Sequence, residues 1–200
     1  MPNSKTVSKT NKTPGSQQII PLKKLSFDEL WSAYPSDQIE HLDPKTQKDV
    51  FSDHCAINMS EALYKSGVLL KTFKGVKCWN CPTPDPITKK GIHAVRAQEL
   101  SDYLKHRPFA GCPAPVSLTG SNYEETVQGK KGIIFFQDYW LRDGEKMPTG
   151  DHIDLWNENS LASIGWFNTW IRRTFPSASE TLFSMSDLRN SKQVLFWELL

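Results

Sequence analysis

Apolar positions along the chain recur first with helical and later with strand spacing. In Ser26 to Tyr34, Phe27, Leu30 and Trp31 fall on one face. Ser26 with Glu29 three residues on forms a capping box, and Pro35 stops the helix. In Ser52 to Gly67, Cys55, Met59, Ala62 and Leu63 make an apolar stripe. Ser52 or Asp53 is the expected cap, and Gly67 stands where a left-handed terminus is expected. Arg96 to His106 places Leu100, Tyr103 and Leu104 inward, with Pro108 as its stop. The period then changes. Gly132 to Phe136 is a short apolar run, as in a buried strand, and His152 to Trp156 alternates, as in a half-buried one. Ser160 to Arg173 has a helical stripe of Leu161, Ile164, Phe167 and Ile171, and Gln193 to Leu199 reads as a closing strand. Between the first helices, Val68 to Pro86 reads as a loop. Helices first and strands late predict an α+β fold with a helix on one side of the sheet.

Composition narrows the class. A chain of 200 residues corresponds to one domain. At 11% aromatic and a net charge of only +2, wholesale disorder is disfavoured, and charge gives no case for nucleic acid. No stretch reaches the roughly 20 apolar residues that a membrane-crossing helix needs. The one lopsided region is the start. Lys5, Lys9, Lys12, Lys23 and Lys24 precede the first acid, Asp28, in a Ser-, Thr-, Asn- and Gln-rich stretch. Residues 1–25 are therefore read as a flexible basic tail and 26–200 as the domain. The tail lacks the apolar run of about 7–15 residues of a secretory signal, so export, if any, is expected by another route.

The candidate chemistry begins at Cys55. A cysteine in the first turn of a helix meets unpaired N–H groups and the positive end of the dipole, which favour a thiolate and stabilise an oxyanion. A thiol nucleophile needs a histidine in reach. His41 and His106 read as surface residues, His54 points about 100° away from its neighbour Cys55, and His93 has no obvious partner. His152 opens the alternating strand and shares its face with Asp154 and Trp156, so a carboxylate can orient the imidazole. Asp151 points to the other face. Cysteine on a helix followed by histidine on a later strand is the papain-like order.

The pair Cys78 and Cys81 has the spacing of half a zinc site or of a redox pair. Pro82, Pro84 and Pro86 forbid the helix that a thioredoxin-type pair would open. Neither Cys55 nor Cys112 has a second ligand two to four residues away, so the pair is read as loop cysteines able to bond to each other, with a zinc module built on Cys78 and Cys81 as a remote third option that metal content would test.

Cys55-Ala56-Ile57-Asn58-Met59-Ser60-Glu61-Ala62-Leu63, with Gly67, resembles the nucleophile helix of the type VI secretion amidase effectors, family four. Gly132 to Phe136 resembles that family's central strand, and Gly150-Asp151-His152-Ile153-Asp154-Leu155-Trp156-Asn157 its histidine box. Phe27 to Pro35 and Phe196-Trp197 fit its ends. The resemblance implies a papain-like, NlpC-type fold with the nucleophile helix on a central antiparallel sheet. It implies a cysteine amidase that cuts the γ-D-glutamyl–diaminopimelate bond of peptidoglycan stem peptides, with no cofactor. It further implies manufacture in the cytoplasm, delivery by type VI secretion machinery into a rival's periplasm, and a cognate immunity protein. By the same resemblance Cys55 is the nucleophile and His152 the general base.

Four positions depart from the pattern. Asn58 replaces arginine, Asp151 is inserted before the histidine, and Glu158 replaces glycine. Ser163 stands where some members carry an aspartate between two cysteines. Asp154 is therefore the expected orienting residue, with Asn157 and Asn159 as alternatives. Trp156, Trp79 and Trp140 are candidate cleft aromatics. Two other readings share the fold: a papain-like hydrolase of another peptide, and an inactive binding module. An activated Cys55 that alkylates fast below pH 7 separates the enzymes from the module.

Overall fold

The computed structural model describes residues 5–9, 12–86, 89–141, 144–163 and 187–200. Its centre is an antiparallel five-stranded sheet of β3 (Val116–Leu118), β4 (Lys130–Trp140), β5 (Gly150–Glu158), β6 (Ser160–Leu161) and β7 (Gln193–Glu198). The spatial order is β3-β7-β4-β5-β6. Three helices, α1 (Phe27–Ala33), α2 (Cys55–Lys65) and α3 (Ala97–Lys105), precede it, and a short α4 (Tyr123–Val127) lies between β3 and β4. The expected α+β architecture, with the cysteine helix on an antiparallel sheet, is the one observed.

Local sequence accounts for the helix ends. Ser26 caps α1 in the expected capping box. The expected cap of α2 is corrected: the helix starts at Cys55 with His54 as N-cap, not at Ser52 or Asp53. Its other end follows the pattern. Gly67 adopts φ +85°, a left-handed conformation that favours glycine. The Gly67 and Val68 N–H groups donate to the Tyr64 and Leu63 carbonyls, closing a Schellman motif.

Register divides the sheet's side chains between two cores. Ile133, Phe135, Ile153, Leu155, Leu195 and Trp197 face α1, α2 and α3, where Leu30, Met59, Leu63 and Leu100 are fully buried. Ile134, Phe136, Trp156, Val194 and Phe196 face the other way, against Tyr123, Val127 and Leu188. The continuous apolar run of β4 is thus a strand buried on both faces. So is β5, which corrects the half-buried expectation: the face of His152, Asp154 and Trp156 is covered, not solvated. Each fully buried Leu or Phe contributes roughly 1.5–3 kcal/mol.

Within the tail, Lys5–Lys9 (β1) and Gln17–Pro21 (β2) pair as an antiparallel hairpin, a regular element that the polar composition did not signal. The helix expected over 160–173 lies mainly outside the described residues, and its first two positions are strand β6. No described helix is long and apolar enough to cross a membrane.

Candidate active site

Helix α2 packs on β5 and delivers its first residue to the site. The His54 side chain, in place of capping the first turn, bonds through Nε2 to Asp49 Oδ2 at 2.7 Å. The first-turn N–H groups therefore have no competitor from the N-cap side chain. Cys55 is 7% exposed at the mouth of α2, and its thiol lies near enough to the His152 ring to help raise that ring's pKa.

His152 is buried on β5 with Asp154 two residues along the same face. Its Nε2–H donates to Asp154 Oδ2 at 3.3 Å, and the ring stacks on Phe136 with centroids 6.5 Å apart. Burial pulls the His152 pKa down. Hydrogen bonds from Asp154 and Cys55 more than offset this, and their charges add to them, raising it to about 10. The imidazolium is thus the favoured form, as thiolate chemistry requires.

Asp154 is fully buried and held from three directions besides the imidazole. Leu155 N–H donates to Oδ1 at 2.7 Å, and Ser163 N–H donates to Oδ2 at 3.2 Å. The Ser163 hydroxyl also donates to Oδ2 in a short bond. A carboxylate fixed in this way cannot swing from the imidazole. Ser163 lies eleven residues after His152, the position that the sequence marked as a departure from the resembled pattern. Tyr34 is a second residue that spacing did not reveal. Its hydroxyl is buried beside Asp154 and Cys55. Burial first, and then the Asp154 charge, hold its proton well above the ordinary phenol range.

Cys55 opens into a cleft of about 370 Å³ whose wall includes Asp53, Arg96, Glu99 and Asp151. Arg96 pairs with Glu99 at 2.8 Å. Asp151, expected to matter little, is a wall residue, and one of its oxygens accepts the Asp138 N–H at 3.0 Å. The structure brings Cys55, His152 and Asp154 together and leaves the alternatives outside. Asn159 is exposed, and Asn157 sits on the opposite face of β5. None of the three tryptophans lines the cleft: Trp156 donates to the Val127 carbonyl inside the second core, Trp140 packs against that core, and Trp79 rests on Phe51.

Two histidine readings are also corrected, that His41 is a surface residue and that His93 has no partner. His106 is exposed as expected, but His41 and His93 are completely buried. They meet Cys78 and Cys81 in a cluster whose four ligand atoms all lie within 4.8 Å of one another.

The family model for the type VI secretion system amidase effector protein 4, Tae4, matches residues 51–197. A chain from the Tae4/Tai4 effector–immunity structure of Salmonella typhimurium superposes with a TM-score of 0.57 at 18% identity, covering 89% of this chain and 100% of that one. The type VI effector Tae4 from Enterobacter cloacae superposes with a TM-score of 0.51 at 19% identity, covering 90% and 100%. These likenesses are to the fold. No curated protein matches the chain.

Proposed function

The chain belongs to the Tae4 family of type VI secretion amidase effectors, and from that premise we propose that it is a cysteine amidase cutting the γ-D-glutamyl–diaminopimelate bond of peptidoglycan stem peptides. The observation that carries this reading is the line Cys55–His152–Asp154, opening into a cleft that holds charges of both signs. A stem peptide offers both signs in return, carboxylates and the diaminopimelate ammonium.

The Cys55 thiolate attacks the amide carbonyl carbon, and the first-turn N–H groups of α2 receive the oxyanion. With Nε2 committed to Asp154, Nδ1 is the ring nitrogen that serves the reaction. His152 gives its proton to the departing amine as the C–N bond breaks, leaving a thioester on Cys55. The now neutral imidazole takes a proton from water, the resulting hydroxide attacks the thioester, and the thiolate leaves. Asp154, fixed by Ser163, holds the ring in one tautomer throughout.

The same reading supplies the biology. The chain travels through the type VI machinery into the periplasm of a target cell. An immunity protein protects the producer, as the paired Tae4/Tai4 naming of the Salmonella relative suggests. The test is digestion of diaminopimelate-type sacculi read by mass spectrometry. The wild type is expected to release fragments ending in γ-D-glutamate, and Cys55→Ala to release at least about 10³-fold less. Intact sacculi with both proteins would overturn the substrate, and cleavage at another bond would redirect it.

A further inference from the structure

We propose that His41, Cys78, Cys81 and His93 form a closed, tetrahedral site for a structural Zn²⁺ ion, separate from the amidase centre. The three distances from His93 Nδ1 match the edges of a tetrahedron, and all four ligand atoms lie within 4.8 Å of one another. With Zn–N of about 2.0 Å and Zn–S of about 2.3 Å, its edges are about 3.3 Å between nitrogens and about 3.5 Å between nitrogen and sulfur. Here His41 Nε2 and His93 Nδ1 are 3.1 Å apart, and His93 Nδ1 lies 3.6 Å from Cys78 Sγ and 3.5 Å from Cys81 Sγ.

Proton placement makes the case independently of distance. His41 Nδ1 lies 3.0 Å from the Ile39 carbonyl oxygen, which can only accept, so that nitrogen carries the proton. His93 Nε2 lies 3.0 Å from Glu61 Oε2, which places its proton there. In neutral rings the two nitrogens that converge, His41 Nε2 and His93 Nδ1, are then both lone pairs. Two buried lone pairs facing each other beside two sulfurs repel, and a cation at their centre turns the repulsion into four bonds. Two thiolates balance a divalent charge, so the filled site is neutral and suits burial.

The outer contacts are those of a metal site. Each histidine donates its remote N–H to a carbonyl or a carboxylate, the arrangement that orients a metal-bound imidazole. Cys78 N–H donates to the His93 carbonyl at 2.9 Å. Gly91 runs so close to Cys78 that a Cβ there would lie 2.0 Å from its carbonyl oxygen. Two nitrogen and two sulfur ligands favour zinc, and four protein ligands leave no open position for catalysis.

The site grips the nucleophile helix at two places. Glu61 and Ser60 of α2 hold His93 and the Ala94 N–H, the latter at 2.9 Å. Asp49 accepts the His41 N–H at 3.2 Å and the His54 ring at the start of α2. Zinc therefore ties His41, Cys78, Cys81 and His93 together around α2.

The decisive measurement is metal content of the full chain, purified under reducing conditions with zinc supplied, in a Cys55→Ala background that removes the amidase thiol. One zinc per chain is expected, falling below about a tenth in Cys81→Ser and in His41→Gln. Replacement by Co²⁺ should give the visible bands of a tetrahedral ion with thiolate charge-transfer absorption, and chelation should lower Tm by at least about 10 °C. Three results overturn the proposal: no stoichiometric metal and no tetrahedral cobalt spectrum in the parent chain, metal retained equally by both variants, or a Cys78–Cys81 disulfide in the folded reduced-purified protein. If a variant does not fold, the parent's metal content and cobalt spectrum decide alone.

Discussion

Two buried clusters of cysteine and histidine share one helix and differ in everything that decides chemistry. At the start of α2, Cys55 meets one histidine, and a fixed carboxylate behind that ring raises its pKa to about 10. Further along α2, Cys78 and Cys81 meet two histidines whose remote ring nitrogens face the Ile39 carbonyl and the Glu61 carboxylate, so that in neutral rings the nitrogens turned toward the cluster are lone pairs. The first cluster has one thiol, one imidazole and a cleft; the second has four donors converging on one point. Residue type alone does not separate a catalytic thiol from a metal ligand. The number of converging donors, the position of the ring proton and access to a cleft do.

The largest break in this comparison comes from Asp154→Asn. Removing the charge while keeping the shape should lower kcat by about 10²- to 10⁴-fold, with KM changed only a few-fold. Metal content should stay at the parent level, because the hydrogen bonds of Asp154 go to His152, Leu155 and Ser163 and to none of the four ligands. Assay on a defined stem peptide beside metal analysis reads both. An unchanged kcat would remove Asp154 from the mechanism, and Asn157 is then the next residue to substitute.

A smaller effect follows from the raised His152 pKa. The ring's ordinary value is 6.5, and the folded value is about 10, so the fold binds this proton more tightly than the unfolded chain does. The associated stability is complete below about pH 6.5 and is lost progressively as pH rises through 10. Urea midpoints of the wild type, taken relative to His152→Gln, should therefore decline across this window. A constant difference between the two proteins from pH 6.5 to 10 would show that His152 is not charge-paired in the fold.

These contrasts also explain what sequence could and could not show. Cys55, His152 and Asp154 were legible because each sits in an element with a strong period, and two residues along a strand share a face. The capping box of α1 and the glycine ending α2 were legible because they are local. His41 and His93 were not, since 52 residues separate ligands that spacing rules seek within two to four. The covered polar face of β5 was hidden for a related reason. What buries it includes α4, at five residues too short to show a helical period, and Leu188 in a single 3-10 turn. Ser163 stood at a position that the family resemblance marked, yet its role as a donor to Asp154 needed the turn after β6. Periodicity reports the faces of elements; it does not report what a distant loop places against them.

Asn58 sharpens the comparison most finely, since it lies on α2 one turn after Cys55 and one before Glu61. It is fully buried, and neither amide atom has a hydrogen-bond partner among the described residues. A buried amide without partners costs about 1–3 kcal/mol, so an apolar residue of similar volume should relieve part of that cost. Asn58→Leu is expected to raise stability by about 1 kcal/mol, or about 2–4 °C in Tm, with activity within three-fold and metal content unchanged. Thermal unfolding and the stem-peptide assay check it together. If stability rises while kcat falls ten-fold or more, the amide faces substrate and belongs to the first cluster. If metal content falls instead, α2 transmits a change at Asn58 to Glu61, and the two clusters act as one unit.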